Sequence, residues 1–371
     1  MKYKIIKAKI FKYKATPKTI WLFTKLEDSN KIVGWGEATL QGKEDEVIKN
    51  KTDIFGLFVN KYFNSPFDIK AKLPFRNLVE ASISSSIMQA IWDIYARYNN
   101  KSICNMFSDK KEDIVNTYAN FNRVCNSRDL KTIKIKLKNV IDDGFKAIKF
   151  APFDEVYPDM SYKEMMKNAD IGLERVSMIK DNISNDIKLM IDCHWRFSTK
   201  VILDLINEFS SYNLYWLESP IDEEIRNIPE IKIIKEKLNL KGIKLAGLEN
   251  KILKKGFEEF VKHNSHDVMM PDIKYAGGPD EMICINKFLL KNNIEFSPHN
   301  PSGPIAHAHS IQICSISPSH FLEYQYKETE KFNKIVSSHN QEITRGKIKT
   351  EYVEDGLGLH IREEELSKFG K

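Results

Sequence analysis

Residues 188–197 read KLMIDCHWRF, an apolar run ending in an acid, an imidazole and a guanidinium at alternate positions, Asp192, His194 and Arg196. Side chains two apart in a β-strand share a face, so a strand through Leu189 to Ile191 would aim all three one way. Charged groups are rarely buried unless they are paired or bound to a metal. A polar tip on an apolar strand therefore marks either a site or a strand that has run into solvent.

The flanking sequence repeats the pattern. From about residue 114 short apolar runs alternate with helical stretches, and candidate strand ends fall at Tyr118–Asn120, Lys149–Ala151, Asp192, Glu218, Glu249, Asp272, His299 and Glu323. From Asp192 to Glu323 successive ends lie 23 to 31 residues apart, room for one strand, one helix and two loops. Repeated units of this length imply parallel strands, and eight of them predict an α/β TIM-type (β/α) barrel. The longer gap before Asp192 is expected to hold a loop insertion and a helix between residues 153 and 186.

Ahead of the barrel, residues 2–40 alternate apolar and polar with breaks at Thr16-Pro17 and Asp28-Ser29-Asn30, which predicts an antiparallel sheet of about three strands. Helical periodicity follows over 43–62 and 78–98; in the second, Ile83, Ile87, Ala90, Ile91 and Ile94 form one stripe expected to be buried. Strands followed by helices make an α+β unit. The tail, 345–366, alternates and then turns at Asp355-Gly356-Leu357-Gly358, and is expected to lie against the N-terminal sheet. The expected division is thus an α+β capping domain over 1–113, a barrel carrying the site over 114–330, and a C-terminal segment, 331–371, returning to the cap.

Composition narrows the function. The chain has 371 residues, 42% of them hydrophobic, enough for a sizeable core. Its net charge of +6 is spread along the chain and forms no basic block, which argues against a nucleic-acid surface. No run is long enough to span a bilayer, and the opening MKYKIIKAKIFKYKA alternates lysine with apolar residues, so a cytoplasmic protein without membrane partners is expected. Five cysteines, with no CxxC pair, indicate neither a disulfide framework nor structural zinc.

Four consecutive strands end in a carboxylate: Asp192, Glu218, Glu249 and Asp272. In a TIM barrel these ends face one mouth, so the acids would converge. Without a cation they would repel and take up protons. An oxygen-only donor set suits Mg²⁺ best. Any one acid could simply cap the following helix, but three on strands three, four and five together favour a metal site of Asp192, Glu218 and Glu249.

With these motifs in order along nearly the whole chain, the sequence resembles the mandelate racemase/muconate lactonizing enzyme branch of the enolase superfamily. The resemblance implies an enolase-like, modified barrel with an α+β cap, and Mg²⁺ on those three acids. It also implies an Asp–His dyad, Asp272 in MPDIKYAGG and His299 in SPHNPSGP, and a strand-eight acid, Glu323 in FLEYQ. Many members carry Lys-x-Lys at the end of strand two; here Lys149 is followed by Ala151, so the second lysine is missing. His194 then resembles the proton-handling histidine of the sugar-acid dehydratases, which often carry an arginine two residues on, as Arg196 does.

On that resemblance the substrate is a small carboxylate, an aldonate or aldarate. His299 is the base at C2, Asp272 its orienting partner, His194 the acid at the 3-hydroxyl, Lys149 a stabiliser of developing charge, and Glu323 a partner of a substrate oxygen. Arg196, Trp195 and Asn300 are placed as substrate contacts, with Trp195 either a substrate wall or packing between barrel and helix. His307 and His309 are expected to pack at a helix start, and Lys274 to be catalytic or merely solvated, with a supporting role beside Asp272 favoured. A homo-oligomer is expected. The rival readings are a racemase or epimerase using His194 and His299 on opposite faces of one carbon, and a non-catalytic binding protein on the same scaffold.

Overall fold

The computed structural model describes residues 3–317, 321–337, 342–350 and 355–368. Three long antiparallel strands, Tyr3–Lys14, Ile20–Asp28 and Val33–Glu37, form the cap sheet, with Tyr62–Phe63 added beside the first. Helices Glu44–Gly56 and Leu78–Tyr98 complete the cap. The second begins at Asn77, whose side chain accepts the Glu80 N–H. Its burial exceeds the single stripe expected from sequence, because the helix lies between the sheet and the barrel and is covered on both sides. Its buried serines are satisfied: Ser82 donates to the Ala38 carbonyl at 2.6 Å and Ser84 to that of Pro74 at 2.7 Å.

Eight parallel strands build the barrel: Ile114–Asn120, Ala147–Phe150, Lys188–Asp192, Leu214–Glu218, Lys244–Gly247, Val268–Met269, Glu295–Phe296 and Leu322–Gln325. Each pairs with the next through strand seven, and strand eight pairs with strand one. Between strands seven and eight the described residues form no ladder; Ser297 Oγ donates to the Phe321 carbonyl at 2.8 Å across that seam. The lumen is filled by Tyr118, Ala147, Met190, Trp216, Ala246, Val268 and Met270. Two residues further along strands one to four, on the same lumen-facing side, stand Asn120, Lys149, Asp192 and Glu218. The polar tip of KLMID is therefore the mouth of the barrel, above an apolar plug.

The cap closes over this mouth. At Gly277-Gly278 the chain adopts φ of 111° and 89°, and a Cβ on Gly278 would lie 2.6 Å from Met88 Cβ on the cap helix. Beside it Ser85 Oγ accepts the Gly277 N–H at 2.9 Å. The tail departs from expectation in one part: Lys347–Lys349 pairs antiparallel with barrel strand one, not with the cap sheet. Beyond it the tail meets the cap where Leu357 N–H donates to buried Asp93 at 2.7 Å, while Gln312 of the barrel helix Pro304–Ser315 donates to the Gly356 and Leu357 carbonyls. Residues 351–354 of the expected tail strand lie outside the described residues. No helix among the described residues is long and apolar enough to cross a membrane.

Candidate active site

A cavity of about 800 Å³ opens between the cap and the C-terminal ends of the strands. At its floor the Lys149 ammonium lies 2.7 Å from Glu218 Oε1, 3.0 Å from Glu323 Oε1 and 3.6 Å from Asp192 Oδ2. All four side chains are buried. Burial opposes the charge on Lys149, but Glu218 and Glu323 outweigh it and raise the ammonium well above its ordinary value. Burial likewise opposes ionisation of Asp192 and Glu323. His194 and Lys149 nevertheless hold Asp192 well below the usual carboxylate range, and Lys149 with His299 brings Glu323 down to about 2. One ammonium cannot serve every neighbour: burial and the charges of Asp192 and Glu323 push Glu218 up, and burial with Asp192 and Glu218 pushes Glu249 up.

Opposite this floor stands the histidine pair of acid and imidazole. His299 Nδ1 lies 2.8 Å from Asp272 Oδ2, and its Nε2 lies 3.0 Å from Glu249 Oε2. Asp272 is buried and also accepts the Lys274 ammonium at 2.7 Å, so Lys274, which lines the cavity, is bound to the dyad and is not a solvated group. Lys274 and His299 help to keep Asp272 ionised against its burial. Glu249 lies two residues beyond its strand, and Asp272 and His299 three beyond theirs. Glu323 stands within strand eight, where Asn120 Nδ2 donates to it at 2.7 Å.

On strand three the sequence expectation needs correction. The strand stops at Asp192, and His194 and Trp195 both take left-handed φ, 48° and 57°. That curl folds the imidazole back onto its neighbour, with Nε2 3.1 Å from Asp192 Oδ2, and turns Arg196 away. Arg196 donates to the Asp154 and Val156 carbonyls at 3.0 and 2.8 Å and does not line the cavity; it staples the loop after strand two. Asn300 is also no lining residue: buried, it donates from its backbone to Glu323 Oε2 at 2.8 Å and from its side chain to the Glu323 carbonyl. Trp195 does line the cavity, with its indole N–H tied to Glu223. His307 and His309 are buried on helix Pro304–Ser315, His309 Nε2 lying 2.9 Å from the Trp35 carbonyl oxygen.

Other lining residues were not read from the sequence. Arg123 and Asn122 follow strand one, and Asn77 and Glu80 precede and begin the long cap helix. YANFNR carries the same alternate-polar strand end as IDCHWR and could have flagged Asn120 and Asn122. Nothing local marks residues 77–80, which reach the cavity only because the cap docks there. Gln41 and Lys43 of the cap loop and Asn50 of helix Glu44–Gly56 line the outer wall.

Among the described residues, no group of three or more His, Cys, Asp and Glu side chains is arranged to hold a metal ion. All three expected ligands instead contact a cation or ring: Asp192 meets His194 and Lys149, Glu218 meets Lys149, and Glu249 meets His299. The donor chemistry still suits a hard dication, since Asp192 and Glu218 are buried oxygen donors, Glu249 is a partly buried one, and Glu218 and Glu249 carry mutual repulsion that such an ion would relieve.

Solved structures with this fold include a provisionally assigned dehydratase from Mesorhizobium loti (TM-score 0.88, 18% identity, 99% of each chain). Another is a mandelate racemase/muconate lactonizing enzyme from Jannaschia sp. CCS1 (TM-score 0.85, 17% identity, 99% of this chain and 98% of that one). In sequence, a D-gluconate dehydratase of Thermoproteus tenax is 26% identical over 302 residues, 79% of this chain; the chain spans 57% of that relative's length. The family model for enolase C-terminal domain-like proteins matches residues 133–365, well over half the chain. The chain belongs to that family, in the mandelate racemase/muconate lactonizing enzyme branch of the enolase superfamily.

Proposed function

We propose that this protein is a Mg²⁺-dependent dehydratase of a sugar acid, an aldonate or aldarate, giving a 2-keto-3-deoxy acid. The observation that carries the reading is the Asp272–His299 pair, with Nδ1 held at 2.8 Å and Nε2 turned toward Glu249 at the barrel mouth. The likeness to a protein named D-gluconate dehydratase supports elimination as the outcome. Asp192, Glu218 and Glu249 would hold the ion, which when bound supplies positive charge against the substrate carboxylate.

His299 Nε2 takes the C2 proton, and ionised Asp272, by accepting the Nδ1–H, fixes the tautomer that leaves Nε2 free to accept it. The C2–H electron pair spreads into the substrate carboxylate as enediolate charge, then returns to form the C2–C3 double bond as the C3–O bond breaks. His194 delivers a proton to the departing oxygen, which leaves as water, and the resulting enol tautomerises to the 2-keto acid. Lys149 places its ammonium against the negative charge that grows on the substrate carboxylate in the transition state, the kind of interaction that accelerates the step. The amides of Gln41, Asn50, Asn77 and Asn122 suit a polyhydroxyl chain at the outer end.

The test is a panel of aldonates and aldarates with Mg²⁺ in D₂O, scored for 2-keto acid and for deuterium at C2. His299→Asn should lose both signals, His194→Asn should keep exchange without elimination, and EDTA should abolish both. Recovered substrate deuterated at C2, with no keto acid from any compound, would instead establish the racemase or epimerase reading. Full activity in EDTA refutes the metal assignment.

A further inference from the structure

Glu223 lies five residues past Glu218, is 4% exposed and takes no part in the chemistry above. Its carboxylate gathers donors from three different loops. It accepts the Trp195 indole N–H at 2.9 Å, the Ser219 hydroxyl at 3.1 Å and the Leu248 backbone N–H at 3.1 and 3.0 Å. His266 Nε2 lies 3.4 Å away behind it.

The three donor residues share an uncommon backbone. Trp195, Ser219 and Leu248 have φ of 57°, 44° and 74°, a left-handed conformation that is costly for a non-glycine residue. Each stands beside a candidate metal acid: Ser219 directly follows Glu218, Leu248 directly precedes Glu249, and Trp195 ends the curl that starts after Asp192. Backbone held in such a conformation needs surroundings that over-determine it. Glu223 is the one side chain that touches all three among the described hydrogen bonds. Space is also kept for it: a Cβ on Gly247 would lie 1.9 Å from Glu223 Oε1.

We infer that Glu223 is a positioning residue, a single buried carboxylate that clamps the turns after strands three, four and five and so sets the aim of Asp192, Glu218 and Glu249. The inference rests on the proposed function only in taking those three acids as the ion's ligands. Outer groups that orient ligands typically govern affinity by about 10–100-fold.

The experiment uses the full chain with Glu223→Gln and, as a milder change, Ser219→Ala. Mn²⁺ alone is the probe, its affinity read from the free-ion electron paramagnetic resonance signal. Trp195 emission is read as the difference between each protein and its Trp195→Phe counterpart, in EDTA. Glu223→Gln should weaken Mn²⁺ binding about 10–100-fold and shift Trp195 emission before any metal is added. Ser219→Ala should weaken Mn²⁺ binding in the same direction, by less. Mn²⁺ affinity within twofold of wild type in both variants overturns the inference, whatever happens to the melting temperature. If Glu223→Gln does not fold, Ser219→Ala decides by the same twofold criterion. Wild-type protein that binds no Mn²⁺ refutes the ligand assignment instead, and the clamp is then judged by Trp195 emission, with no shift in Glu223→Gln overturning it.

Discussion

Replacing Lys149 with methionine keeps most of the side-chain volume and removes the cation that lies 2.7, 3.0 and 3.6 Å from Glu218, Glu323 and Asp192. Removing one partner from a buried ion pair costs about 3–5 kcal/mol, because the remaining charge is left without compensation. At roughly 2.1 cal/mol/K of unfolding entropy per residue, a chain of 371 residues has close to 0.8 kcal/mol/K, so the melting temperature should fall by about 4–6 °C. The sign of the pH dependence follows from Glu323, which Lys149 and His299 hold at about 2 against burial. A carboxyl lowered in the fold stabilises above its unfolded value of about 4.3 and loses that contribution as pH falls through the folded value. The gap between wild type and Lys149→Met should therefore be widest above about pH 5 and close on acidification. Calorimetric melts in EDTA at a series of pH values measure it, and added Mg²⁺ should raise the variant more than the wild type. An unchanged melting temperature at pH 8, or a gap that widens toward acid, would falsify the role of Lys149 as counterion.

Burial lowers His307 and His309 to about 4, against about 6.5 unfolded. The unfolded chain therefore binds more protons between those values, so stability should drop on acidification through that window by up to ~3 kcal/mol per ring. His309→Gln should flatten the melting temperature against pH there, and an unaltered slope would show that the ring is not the source. Arg196→Ala should cost about 1–3 kcal/mol through two carbonyls left without donors while KM stays within about threefold. A tenfold rise in KM with an unchanged melt would instead return Arg196 to the substrate. Gly278→Ala forces a left-handed alanine against Met88 and should speed proteolysis of the cap; digestion at the wild-type rate would contradict the packing described.

The barrel and the acids at its mouth were legible because strand periodicity and carboxylate strand ends are local signals, as at Met190 and Asp192. What the sequence misjudged depended on distant groups. Alternation aimed Arg196 at the substrate, but the left-handed turn at His194 and Trp195, stabilised by contacts to strand four, reverses its direction. The helix from Leu78 carried one clear apolar stripe, and its serines are buried only through distant partners, cap groups for Ser82, Ser84 and Ser86 and the Gly277 N–H for Ser85. Glu223 offered nothing locally beyond being an acid after a turn; its partners come from three loops. Asn300 looked like a site residue because it neighbours His299, and adjacency in sequence did not reveal that its groups turn toward Glu323.

The route of the tail has a consequence for synthesis. Asp93 and Gln312 are made long before Gly356 and Leu357, the residues whose backbone groups they bind. As the chain grows from its N-terminus, the entire eight-stranded ring emerges before residues 355–368 can dock on the cap. Until then a buried carboxylate lacks one of its donors, and the roof over the mouth has an open edge. A nascent chain halted just after strand eight should thus have a formed ring beneath a loose roof, and completion of the roof belongs to the final stretch of translation.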